Sequence, residues 1–314
     1  MYLYINISTN EVELVSVLKT VRLTKNYGVK RGVKDIDLDI EEREIFGFIG
    51  PNGAGKSTTI RMIMQLANPT AGEIYLFGRQ VRGEMPELRR KIGFLPSEIN
   101  LYKDMTGKRL LEFAARSYGL ELKRTRAFEY AERLQYDMNQ KVKTYSLGNR
   151  KKLGIVLSVL HNPKLLILDE PTSGLDPLVQ HAFFDLLKEL NEGGTTIFFS
   201  THILSEVEKL CSRVAIIREG IMVRTEQVAD LASHSRRNYA VRFAEQGNCI
   251  ERFRLAELDP DVAFQDGVHH FATQLPIHET LRFLSQFEIA DISIAKPSLE
   301  ELFMEYYGKG VSAR

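Results

Sequence analysis

The run Gly50-Pro51-Asn52-Gly53-Ala54-Gly55-Lys56-Ser57-Thr58 limits what this chain can fold into more than any other stretch. It fits the spacing G-x-x-x-x-G-K-[ST], in which backbone N–H groups of a tight turn point inward at phosphate oxygens. Glycines at Gly50, Gly53 and Gly55 let the chain turn that sharply; Pro51, Asn52 and Ala54 complete the loop. The apolar run Ile45–Ile49 before it reads as a short strand, and Lys56–Leu66 after it reads as a helix. Strand, glycine loop and helix in that order open an α/β unit. The loop amides and the helix N-terminus suit the β-phosphate region. Lys56 has the reach for the β/γ oxygens, the Ser57 hydroxyl suits Mg²⁺, and Thr58 can donate to an α-phosphate.

A second signal lies further along. Leu165-Leu166-Ile167-Leu168 is continuously apolar, as a parallel strand buried on both faces must be. Asp169-Glu170 follow at its carboxyl end, the edge where open α/β sheets bind ligands and from which the glycine loop also springs. Asp169 suits Mg²⁺, directly or through water, and Glu170 suits a general base on an attacking water. Thr196–Ser200 is another apolar strand, with Thr201-His202 just past its end. A neutral imidazole at His202 can bond a γ-phosphate and that water. The other six of the seven histidines read as structural or solvated.

The chain has 314 residues, enough for about two domains. Its Lys+Arg total of 42 against Asp+Glu of 41 argues against a nucleic-acid partner bound by bulk charge. Cys211 and Cys249 lie far apart without a CxxC pair and read as reduced thiols. No apolar run is long enough to span a membrane, and Met1–Asn10 lacks the basic and apolar regions of a signal peptide. Residues 1–12 read as an extension and 13–230 as a core α/β domain. That domain has strands at Val15–Val21, Ile36–Ile40 and Arg213–Ile217 and a helix at Leu178–Leu190. A helical subdomain over about 97–160 interrupts it, with Leu110, Leu111, Phe113 and Ala114, then Ala127, Tyr130, Ala131 and Leu134, at helical spacing. Residues 235–314 read as a small α+β domain with strands at Tyr239–Phe243, Val262–Phe264, His269–Thr273 and Ile289–Ile294 and helices at Ile277–Phe287 and Ser298–Tyr307.

Taken in order from Val15 to Gln227, these motifs resemble the ATP-binding subunits of ABC transporters. The resemblance implies a P-loop NTPase core with a parallel sheet and a helical subdomain, followed here by the small α+β domain. It implies ATP and Mg²⁺ as cofactors. Gly50–Thr58 then matches Walker A, Leu165–Glu170 Walker B, Ser173-Gly174-Leu175-Asp176 the D-loop and His202 the switch histidine. Tyr27 takes the place of the aromatic that stacks on adenine. Tyr145-Ser146-Leu147-Gly148-Asn149 departs from the usual Leu-Ser-Gly-Gly-Gln signature. It nevertheless keeps Ser146 and Gly148 as a hydroxyl and an N–H donor near a helix start, with Asn149 the shorter amide. After Pro96, where the family has Gln touching Mg²⁺, the chain has Ser97-Glu98, and either can stand in for it.

The resemblance also implies a head-to-tail dimer with ATP between Gly50–Thr58 of one chain and Ser146–Asn149 of the other, the second chain being a copy or a relative. It implies membrane-spanning permease subunits as partners and a peripheral place on the cytoplasmic face of the membrane. The run Lys296–Phe303 resembles the tail of ATPases serving ABC-2-type exporters, so export is the implied direction. A different class, a non-transport or regulatory ATPase of low turnover, has only the two motif departures in its favour. Relatives acting on ribosomes or DNA carry paired ATPase units or long coiled coils, which this sequence lacks.

Overall fold

The computed structural model describes residues 16–28, 30–233, 236–245, 247, 250–251 and 253–295. The chain divides into two compact units, Met1–Thr225 and Glu226–Arg314, each taken here by itself.

The first unit opens on two long antiparallel strands, β1 (Ser16–Tyr27) and β2 (Lys30–Glu41). In β2 the aspartates Asp35, Asp37 and Asp39 face water while Ile36, Leu38 and Ile40 are buried, the alternation of a half-exposed strand. Strand β3 (Ile45–Ile49) is buried at all five positions and feeds the glycine loop and helix α1 (Lys56–Ile63). The helix is shorter than Lys56–Leu66 because Met64 leaves helical geometry and Gln65 takes a left-handed φ of 58°. Next come β4 (Ala71–Leu76), β5 (Arg79–Gln80), the short α2 (Pro86–Arg89) and β6 (Ile92–Leu95). Three helices follow: α3 (Gly107–Ser117), α4 (Ala127–Arg133) and α5 (Leu147–Val159). The chain then returns through β7 (Leu165–Asp169), α6 (Pro177–Glu192), β8 (Thr196–Thr201), α7 (Leu204–Leu210), β9 (Arg213–Arg218) and β10 (Ile221–Gln227).

These ten strands form one sheet in the order β5-β4-β1-β2-β10-β9-β3-β8-β7-β6. The segment β9-β3-β8-β7-β6 is parallel throughout, and each neighbouring pair in β2-β1-β4-β5 is antiparallel. The parallel α/β core expected from the sequence is therefore present. The antiparallel layer is an addition that short, half-polar strands such as Ala71–Leu76 did not announce. In the helical arm, Gly107, Leu110, Leu111 and Ala115 form the buried face of α3. Phe113, read from the sequence as part of the helical spacing, is exposed on α3 and meets Tyr102 edge-on at 6.5 Å. Arg126 and Arg133, at the two ends of α4, both pair with Glu189 of α6 and fix the arm to the core.

The second unit holds α8 (Val228–Ser233), strands β11 (Arg237–Phe243), β12 (Ala263–Gln265) and β13 (Val268–Thr273), helix α9 (Ile277–Leu284) and strand β14 (Ile289–Ala295). Its four strands pair antiparallel in the order β12-β13-β11-β14. Its core is aromatic, built on Tyr239, Phe243, Phe253 and Phe271 with Val241, Leu255 and Leu284. This is the small α+β element expected after the ATPase-like core. The expected helix at Ser298–Tyr307, the tail Lys296–Phe303 and the extension 1–12 lie outside the described residues.

Candidate nucleotide site

Because β3, β8, β7 and β6 run parallel, their carboxyl ends share one edge. The registers Ile49↔Thr201, Asp169↔Ser200 and Leu95↔Leu168 bring those ends level. Gly50, His202, Glu170 and Ser97 therefore leave the sheet side by side.

The loop after β3 is built around glycines that cannot be replaced. Gly55 has φ 111°, and a Cβ there would collide with Val33; at Gly50 a Cβ would strike the Ile217 carbonyl. Ala54 N–H donates to Pro51 O at 3.1 Å and closes the turn, while Gly220 N–H donates to Ala54 O at 2.9 Å and holds it to the end of β9. Pro51, Asn52 and Gly53 form the exposed crest, and Ser57 and Thr58 sit half-buried in the first turn of α1. No side chain caps α1, so its first amides keep their donor capacity.

Lys56 is buried to 5% exposure, and its ammonium folds back over the loop. It donates to Gly50 O at 2.6 Å and Pro51 O at 3.3 Å, and lies 3.0 Å from Glu170 Oε1. Glu170 Oε1 accepts no hydrogen bond of good geometry from the described residues, so the Lys56 charge is what faces it. The other carboxylate oxygen, Oε2, lies 2.8 Å from His202 Nδ1. A carboxylate oxygen accepts, so Nδ1 carries the proton and Nε2 is left for another partner. Glu170 has a left-handed φ of 48°, and its N–H is held by Ser200 O at 3.1 Å. A non-glycine residue in that region stores on the order of 1–3 kcal/mol, supported here by the surrounding sheet.

Asp169 is buried at the end of β7, where Ser200 Oγ donates to its Oδ1 at 2.7 Å. The described residues contain no cluster of three or more His, Cys, Asp or Glu able to hold a metal alone. Mg²⁺ in nucleotide sites takes one or two protein oxygens and fills the rest with phosphate and water. Asp169 with Ser57 is a donor set of that kind. Ser97 is exposed, and it is its carbonyl that is engaged, accepting from Lys151 Nζ at 3.2 Å.

The remaining candidates lie elsewhere. Tyr27 ends β1, half-exposed, with Lys25 Nζ 5.3 Å from its ring centroid. Ser146 is the N-cap of α5 and accepts from Asn149 N–H at 3.2 Å, which leaves its own hydroxyl proton to donate. A Cβ on Gly148 would come 2.8 Å from Gly174 O, so this helix start sits tightly on the Ser173-Gly174 turn. Among the described residues, Ser146–Asn149 bond within this helix start and reach no part of the phosphate loop. Tyr145 is a core residue whose hydroxyl lies 2.8 Å from that of Tyr136.

Three contributors escaped sequence reasoning. Ser200 is legible only through its register opposite Asp169. Glu206, buried, accepts from Thr201 Oγ1 at 2.6 Å; burial raises its pKa, with the Thr201 and Thr172 hydroxyls opposing. Lys151 is buried beside the Ser97 backbone; burial lowers its pKa, and the charges of Asp169 and Glu170 oppose that.

A family model described as ABC transporter matches residues 33–173. The bacitracin transport ATP-binding protein BcrA of Bacillus licheniformis is 33% identical over 308 residues, covering 94% of this chain and 98% of that protein. The linearmycin resistance ATP-binding protein LnrL of Bacillus subtilis (strain 168) is 33% identical over 315 residues, covering 93% and 99%. A solved dimeric ATP-binding cassette in a post-hydrolysis state, bound to ADP and Pi, matches with a TM-score of 0.61 at 28% identity, covering 67% of this chain and 98% of that one. With a phosphate loop, an acidic strand end and a histidine on one sheet edge, and with relatives matched over nearly their whole length, this chain belongs to the ABC transporter family as an ATP-binding subunit, an ATPase.

Proposed function

We propose that this ATPase drives export through separate membrane-spanning subunits, working from the cytoplasmic face of the membrane as a head-to-tail dimer with a copy of itself or a related ATPase. The observation that carries the reading is the Glu170 carboxylate, held between the Lys56 ammonium at 3.0 Å and the His202 imidazole at 2.8 Å. A base, a phosphate-binding cation and a proton-bearing ring thus converge on one spot beside amides suited to a triphosphate.

In this reading Gly50–Thr58 wraps the phosphates, and Lys56 exchanges its loop carbonyls for β/γ oxygens. Ser57 and Asp169 hold Mg²⁺, with Ser97 or Glu98 at its margin; the ion, when bound, offsets phosphate charge. Glu170 takes a proton from the attacking water, and His202, donating through Nδ1–H, keeps that carboxylate oriented. Tyr27 stacks on adenine. The partner chain's copy of the Ser146–Asn149 turn, with its capped helix start and spare hydroxyl donor, closes the far side of the triphosphate. Charge-assisted bonds to both faces favour the closed dimer until hydrolysis removes them. Among the described residues no helix is long and apolar enough to cross a membrane, which fits a chain that works through membrane partners. The relatives named for bacitracin transport and linearmycin resistance support an exported substrate.

The test is phosphate release by the purified chain with ATP and Mg²⁺, alongside Lys56→Ala and Glu170→Gln. The reading requires turnover that both variants abolish, and light scattering that shows Glu170→Gln trapped as a dimer by ATP. A Glu170→Gln protein that stays monomeric with ATP, with and without its membrane partner, overturns the dimer part.

A further inference from the structure

The sequence Arg150-Lys151-Lys152 places basic residues near the start of α5, Arg150 closing its first turn and Lys151 and Lys152 opening the second, close to a helix N-terminus that disfavours positive charge. A solvated basic face would explain them, but two of the three are buried: Lys151 at 1% exposure and Lys152 at 8%. Burying an ammonium is costly unless it is hydrogen-bonded, so each must have a compensating partner. Lys151 Nζ donates to Ser97 O at 3.2 Å, and Lys152 Nζ donates to Gln135 O at 3.4 Å. Successive helix residues point about 100° apart, so the pair straps α5 in two directions. One strap runs to the segment leaving β6 and the other to the turn just past the end of α4.

The Ser97 strap runs to the side of the carboxylates. Strand β6 pairs with β7 up to Leu95↔Leu168, so Ser97 leaves the sheet beside Asp169. The charges of Asp169 and Glu170 act on Lys151 and oppose the effect of its burial. Lys56, Lys151 and Lys152 are the buried lysines among the described residues. Lys151 also lines a cavity of about 540 Å³ together with Ser97, Glu98, Arg150 and Ser173, so water can reach the carbonyl if the ammonium is removed.

We propose that Lys151 is a positioning residue: from the second turn of α5 its ammonium ties the helix start, with Ser146, Gly148 and Asn149, to the Ser97 backbone and so sets that start against the Asp169–Glu170 pair. This rests on the reading that Glu170 is the base and that the α5 start contacts a partner's nucleotide. Lys151 does not itself touch ATP. Its removal therefore slows turnover without weakening nucleotide binding. Lys151→Met keeps the volume and removes both donor and charge, and it leaves the Ser97 carbonyl to water in the adjoining cavity. A merely structural role would thus show in the melting temperature, and a positioning role in kcat.

The experiment compares wild type, Lys151→Met, Lys151→Gln and Lys151→Arg as full-length chains, by ATPase kinetics and by hydrogen–deuterium exchange over residues 97–101. Lys151→Met is expected to lower kcat about tenfold with KM for ATP within about twofold, and to speed exchange at 97–101 severalfold while the β7 amides stay protected. Lys151→Arg restores both, and Lys151→Gln, which keeps a donor, falls between. Unchanged exchange at 97–101, or a kcat within about twofold of wild type in both neutral variants, overturns the proposal. If wild type shows no Lys56-dependent turnover, the functional reading fails, and the exchange result alone then decides the tether.

Discussion

His202 Nδ1 lies 2.8 Å from Glu170 Oε2, so the imidazole and the carboxylate that leave neighbouring strand ends act as one unit. If the pair works as base and orienter, the two side chains fail differently. Glu170→Gln removes the base and is expected to lower kcat by about 10²–10⁴-fold. His202→Ala leaves the base but frees its rotamer, and a smaller loss of about 10–100-fold is expected, with ATP affinity held. Steady-state phosphate release with parallel nucleotide titration measures both. Equal affinity loss in the two variants would remove the distinction.

Lys56 has the opposite signature. Its ammonium is shared among Gly50 O and Pro51 O of the loop and Glu170 Oε1 past the end of β7. Lys56→Ala removes the charge proposed to meet the terminal phosphates, so binding itself should fail. We expect affinity for a fluorescent ATP analogue to drop at least about tenfold, about 1.4 kcal/mol. Wild-type affinity in Lys56→Ala would detach the loop from its assigned role.

The edge that carries the candidate site is legible in the sequence because each part sits next to a strand that cannot be mistaken. Leu165–Leu168 and Ile197–Phe199 are apolar without a break and buried at every position, so whatever follows them must reach the same edge. Gly55, with φ 111°, is likewise a local requirement that local residues reveal. What the sequence conceals depends on neighbours far along the chain. Ser200 holds Asp169 across 31 residues, and Lys151 holds Ser97 across 54. Phe113 carries an apolar side chain at helical spacing, yet α3 buries Leu110, Leu111 and Ala115 instead. A buried lysine is written in the sequence like an exposed one, so a basic triplet at a helix start gives no sign of which members face inward.

The head-to-tail dimer can be tested by complementation. A Cβ on Gly148 would press on Gly174 O at 2.8 Å, so Gly148→Ala must displace the start of α5. In the proposed dimer this spoils the partner's site, whereas Lys56→Ala spoils the site of its own chain. Each variant alone should be inactive. Mixed in equal amounts, half of the randomly paired dimers carry one site with both defects and one with neither. Activity should therefore recover to about one quarter of wild type, from the symmetry of the pairing. No recovery across mixing ratios would count against the two elements acting on a shared nucleotide from different chains.

Glu206 gives a pH prediction that needs no nucleotide. It is buried on α7, accepts from Thr201 Oγ1 at 2.6 Å, and has its pKa raised by burial, with the Thr201 and Thr172 hydroxyls and His202 opposing and Glu170 reinforcing. A carboxyl with a raised folded-state pKa binds its proton more tightly folded than unfolded. Its contribution to stability is present below the unfolded value of 4.5 and is lost as pH rises through the higher folded value. Glu206→Gln keeps an oxygen acceptor for Thr201 and cannot ionise, so it should lack this decline. At pH 8 the variant is expected to melt higher than wild type by on the order of 2 °C, with the gap closing as pH falls toward 4.5. Differential scanning calorimetry of both proteins across that range reads the effect directly. Parallel melting curves would show that the Thr201 bond and the His202 charge offset burial completely.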